Sequence, residues 1–94
     1  MLNSSIQIIH PDGKAEDKKL ENSAEGQMKQ FQKIVGGYFQ QIYLSDGRAM
    51  ILNENGKSEA LEPNPVATQM AADVLSPADY IVGSVCIAEP GALI

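Results

Sequence analysis

The chain has 94 residues and 44% apolar content, enough for one folded domain with one core and little to spare. It has no continuous apolar run of about 18 residues, which excludes a membrane-spanning helix. Its net charge of −5 and pI near 4.6 argue against nucleic-acid binding by phosphate neutralisation.

The charge is uneven. Residues 1–33 carry five lysines against five acids, and residues 34–94 carry Arg48 and Lys57 against seven acids. An acidic body suits solubility or a basic partner. Cys86 is the single cysteine, so there is no internal disulfide. Residues 1–14 lack the basic start and apolar core of a signal peptide, so the expected setting is cytoplasmic.

Ile6–His10 reads as a short strand stopped by the turn cluster Pro11-Asp12-Gly13. Lys14–Glu21 is a mixed-charge run, either a solvated loop or the approach to a helix. Asn22 with Glu25 has capping-box spacing. Ala24, Met28, Phe31 and Val35, with Ile34 beside them, form an apolar stripe at helical period. Gly36 sits where a glycine ends a helix.

Asp46-Gly47 and Asn55-Gly56 are hairpin-turn dipeptides flanking an apolar run, and together they predict a three-stranded meander. A two-residue turn at Asp46-Gly47 sets Leu44 opposite Ala49 and Ile42 opposite Ile51. The core face is then Ile42, Leu44, Ala49, Ile51 and Ala60. Tyr43, Met50 and Leu52 form a second apolar face, covered or free to pair with a partner. Asn64-Pro65 has the chemistry of a helix start, and the stripe Val66, Ala67, Met70, Ala71 and Val74 carries that helix to Leu75. Ser76-Pro77 stops it. Tyr80–Ala88 is a long β-branched run that reads as a central strand, followed by the tail Ala92-Leu93-Ile94.

Val35-Gly36-Gly37-Tyr38, Asp46-Gly47-Arg48, Asn53-Glu54-Asn55-Gly56-Lys57, Leu61-Glu62-Pro63-Asn64 and Ile81-Val82-Gly83 recur in an order and spacing that resemble one family. It is the set of domains of about 100 residues from phages, plasmids and bacterial genomes called domain of unknown function 3846. The resemblance implies an α+β fold and a mobile-element origin, and it implies no activity.

Candidate chemistry is sparse. His10 and Cys86, the lone members of their types, fall on the first and last predicted strands. Cys86 reads as a core residue rather than a nucleophile. One histidine and one cysteine supply no zinc set. No acid lies inside an apolar segment where burial would raise its pKa. Gly36-Gly37 follows a helix, so it meets the negative end of the dipole and not a phosphate. Tyr38, Tyr43, Arg48 and Asn64 are the candidate lining for a small anionic, nucleotide-like ligand. Tyr43, Met50 and Leu52 are the candidate interface.

The expectation is a single α+β domain over residues 1–94. It has a mostly antiparallel sheet, the order β-α-β-β-β-α-β, and both helices on one face. The expected function is a non-enzymatic binding module of phage or mobile-element type, with no metal or cofactor, occupying a host protein. The alternatives are a small-ligand binder and an oligomerising structural accessory.

Overall fold

The computed structural model describes residues 5–93. Seven elements follow in order: β1 (Ser5–Ile9), β2 (Ala15–Lys19), α1 (Ala24–Val35), β3 (Phe39–Tyr43), β4 (Ala49–Asn53), α2 (Pro65–Met70) and β5 (Val85–Ala88). They build one five-stranded sheet of order β2-β1-β5-β4-β3, antiparallel throughout. The α+β expectation stands, and so does the central place of the last strand. The element order is β-β-α-β-β-α-β, which corrects the expected one.

Both hairpins turn on the same chemistry. In each, the residue before the loop donates its N–H to the residue after it, His10 to Lys14 at 2.9 Å and Leu44 to Arg48 at 2.8 Å. Gly13 and Gly47 sit at φ +90 and +91, the left-handed region, and donate back to His10 and Leu44. Asp12 and Asp46 each accept from the N–H two residues on. These are three-residue loops, a tight turn closed by a left-handed glycine. Asp46 keeps a negative φ, so the two-residue turn expected there does not form.

One residue of loop length moves the register by one. Tyr43 pairs with Ala49 and Ile42 with Met50. The two sides of the sheet therefore exchange partners relative to the expectation, because side chains alternate faces with period two. Ala49 and Ile51 face α1 with Ile6, Ile8, Phe31, Val35, Cys86 and Ala88. Met50 and Leu52 face α2 with Ile9, Leu44, Ala67, Ala71, Val85 and Ile87. The helices thus lie on opposite faces, not on one. Every residue of β4 and β5 is buried.

The expected third meander strand is absent from the described residues. Asn53 Oδ1 accepts from the Asn55 N–H at 2.7 Å, and the chain coils through turns in which Glu59 bonds Asn55 and Leu61 bonds Gly56. Gly56 has no positive φ. It is small for another reason: a Cβ there would lie 2.6 Å from Val82 Cγ2. The place beside β4 goes to β5. The run Ala15–Lys19, read as loop or helix approach, is an edge strand paired with β1 over its whole length, although all five of its residues are exposed.

Helix α1 starts one residue later than expected. Ser23, not Asn22, caps it, accepting from the Gly26 N–H at 3.0 Å. Its buried line is Gln27, Phe31 and Val35, with Ile34 packed alongside, while Met28 is exposed. Gly36 ends it in the left-handed conformation, as expected. Phe31 meets Phe39 edge-on at 5.6 Å, seating the helix over the sheet. Helix α2 stops at Met70, short of Leu75, and Val66 and Val74 of its expected stripe are exposed. Of the tail, Ala92 and Leu93 pack on the α1-side core, and Ile94 lies outside the described residues.

Asn64 caps α2 and does more. Its side chain is fully buried, accepts from the Ala67 N–H at 3.1 Å, and donates to the carbonyls of Ile9 at 3.0 Å and Gly83 at 2.8 Å. Asn64→Ala would strand both carbonyls and the helix N–H away from water. It should cost about 2–4 kcal/mol in urea unfolding, more than an ordinary cap.

Candidate functional site

The residues expected to line a ligand site do not converge. Tyr38 and Tyr43 are exposed at the two ends of β3. Arg48 lies at the hairpin tip, where its Nε holds Asp46 Oδ2 at 2.8 Å. The Asp46 carboxyl is pushed below its usual range, chiefly by the Arg48 backbone N–H. Asn64 is closed to solvent and committed to backbone groups. The expected interface also divides. Tyr43 projects to the opposite side of the sheet from Met50 and Leu52, and those two are buried under α2. That trio offers no continuous free surface, because the shifted register turned two of its members into core.

What the fold leaves open is an edge. Both outer strands end the sheet, but they differ in chemistry. β2, Ala15–Lys19, carries Glu16, Asp17, Lys18 and Lys19, the charges that discourage a foreign strand from adding. β3, Phe-Gln-Gln-Ile-Tyr, carries none. Tyr38 and Leu44 bond to Glu54 and Arg48, so the even-numbered residues of this strand face β4. Phe39, Gln41 and Tyr43 then direct their N–H and C=O groups outward, as antiparallel alternation requires. The Gln41 amide donates to the Tyr43 hydroxyl at 2.8 Å, which lays both side chains along this edge.

A second feature was not legible as a motif. Helix α1 packs on β5, β4 and β3, with Ile6 and Ile8 of β1 in the same core, and a cleft opens between the helix and β2. The resulting cleft is about 610 Å³ and is lined by Ile8 and Ile34, by Lys18 from β2, and by Lys29, Gln30 and Lys33 from α1. At one end stands His10. Its Nδ1 lies 2.7 Å from Ser84 Oγ and its Nε2 lies 2.8 Å from Glu16 Oε2. A carboxylate only accepts, so Nε2 carries a proton toward Glu16, and Nδ1 pairs with the serine hydroxyl.

Serine, imidazole and carboxylate in a row is the order of groups used in nucleophilic catalysis. Here the flanking N–H groups of His10 and Gly83 are already given to the Lys14 and Glu62 carbonyls, so neither can stabilise an oxyanion. The geometry is that of a clip fastening β2 through β1 to the approach of β5. Cys86 is not part of it. It is buried opposite Ile8, and burial pushes its thiol up to about 12. No group of three or more metal-ligating side chains occurs among the described residues, and no helix there is long and apolar enough to cross a membrane.

Met50→Glu puts a carboxylate at a fully covered site and should cost on the order of 4 kcal/mol or more, yielding insoluble or unfolded protein. Tyr43→Glu, at an exposed position, should melt close to wild type. The Glu16 carboxyl is held below its usual range mainly by its hydrogen bond from His10. A depressed folded-state value makes this contribution present at neutral pH and lost as pH falls through the folded value. Glu16→Gln should therefore lower the melting temperature slightly at pH 7, and the difference from wild type should close in acid.

The family model described as domain of unknown function (DUF3846) matches residues 4–92. No curated protein matches the chain, and no solved structure matches it. Four of the five segments that carried the resemblance, all but Asp46-Gly47-Arg48, pack on one another. The Asn53 amide donates to the Val35 carbonyl, Gly56 abuts Val82, and a Cβ at Gly83 would lie 2.9 Å from Leu61.

Proposed function

We propose that this chain, which belongs to the domain of unknown function 3846 family, is a non-enzymatic protein-binding module that offers the free edge of β3 to an extended segment of its partner. The observation that supports this is the contrast between the sheet's two edges. One is guarded by two acids and two lysines in a row, and the other is uncharged and flanked by two exposed tyrosines. Strand addition takes affinity from main-chain hydrogen bonds and specificity from the side chains beside them. Phe39, Gln41 and Tyr43 provide three outward main-chain positions for it. The setting implied by the resemblance, phage or mobile element, makes a bacterial host protein in the cytoplasm the natural partner.

A second reading, self-assembly, draws on the symmetry of the same strand. Two copies paired antiparallel about Gln41 would match every outward group and set Phe39 of each beside Tyr43 of the other.

Gln41→Pro removes an outward N–H that the sheet does not use, so the variant should fold. Displayed against a library of extended peptides, the wild-type chain should select binders that protect the amides of Phe39, Gln41 and Tyr43 from hydrogen exchange, and Gln41→Pro should lose them. Binders that tolerate the proline, or protection elsewhere, would sink the edge reading. Sedimentation of both proteins separates self-assembly: a dimer split by the proline favours the second reading.

A further inference from the structure

We infer that the cleft between the β1–β2 hairpin and α1 binds a small organic phosphate, a ligand of the nucleoside diphosphate class, independently of the β3 edge. Charge is the first support. Among the described residues, the cleft along the 53–58 turn is lined by Glu54, Lys57 and Asp79, and the one across Arg48 by Asp17 and Glu89, so acids outnumber cations in both. In the hairpin–α1 cleft the order reverses: Lys18, Lys29 and Lys33 face Glu16 and Glu21. That reversal stands out in a chain of net charge −5.

Availability is the second support. Arg48 and Lys57 are each held by an aspartate, and Lys29 is held by Glu25 at 3.1 Å. Lys18 and Lys33, on opposite walls, are in no ion pair among the described residues. Glu16 is turned to His10, which draws its charge toward the end of the cleft. Shape is the third support. The volume of about 610 Å³ lies within the range of small-molecule sites, and the partly exposed Ile34 gives it an apolar wall that a bare phosphate would not use. Flexible ammonium groups from two walls can close on a phosphate as point charges, while a ring system lies against Ile34.

The test is a two-dimensional NMR titration of the full chain with ADP, GDP, CDP and UDP, with pyrophosphate and the nucleosides as separate arms. At least one diphosphate should saturate below about 1 mM, moving the amides of Lys18, Gly26, Gln30 and Lys33. Pyrophosphate and nucleoside alone should each bind about tenfold more weakly or worse. Lys18→Gln with Lys33→Gln changes two exposed side chains, so its spectrum should stay folded while affinity falls at least about tenfold. Lys57→Gln should bind as wild type. The inference is overturned if no diphosphate saturates, if the double variant binds as wild type, or if pyrophosphate binds as tightly as the diphosphates.

Discussion

The Asn64 side chain is the point on which this fold depends. One buried amide satisfies the last carbonyl of β1, the Gly83 carbonyl ahead of β5, and the first turn of α2. Those three segments are far apart in sequence, and this one side chain bonds all of them at once. A six-residue helix is too short to hold itself. It persists because its cap is tied to the sheet, and because Ala67 and Ala71 then come close enough to pack on Met50 and Val85. The Asn64 N–H bonds the Ile81 carbonyl at 2.8 Å, and the Thr68 hydroxyl accepts from the Ile81 N–H at 2.9 Å, so the Ile81 backbone is held from two sides.

Sequence reading located the punctuation well and mismeasured it. Asp46-Gly47 marks a hairpin, but the dipeptide alone does not say whether the aspartate or the residue before it opens the loop. The apolar pattern of β4 does not decide that either, because the strand is buried on both faces. The same Asp-Gly stood at residues 12–13 and was read as a stop, because the strand beyond it contains no large apolar residue. Ala15–Lys19 has no period-two signal of its own, and its partner β1 imposes its conformation. Asn55-Gly56 failed in the opposite way, with the glycine answering a close approach by Val82 rather than a turn. The His10 cluster was out of reach for a related reason. Ser84 is 74 residues from His10, and Glu16 adjoins it only once the missed hairpin exists.

The molecule's open features come from incomplete coverage. Helix α1 and the core beneath it reach from β3 as far as β1, so the edge strand β2 is left to border a trough rather than a core. The hairpin that floors the trough also supplies its charges: Lys18 and Glu16 stand on the α1 side, beside Ile6 and Ile8. Charges that blunt one sheet edge against strand addition thereby become the wall of a cleft. The opposite edge has no such side chains, and its outward backbone groups are left to water.

The strand order has a consequence for how the molecule is made. β5 lies between two hairpins that do not touch each other in the sheet. Until it enters, the inner edges of β1 and β4 are both bare, and both halves of the core face solvent. During synthesis both hairpins therefore emerge before the strand that joins them. A nascent protein in that state resembles an open clasp, and any passing β-strand of suitable register competes with its own for the slot.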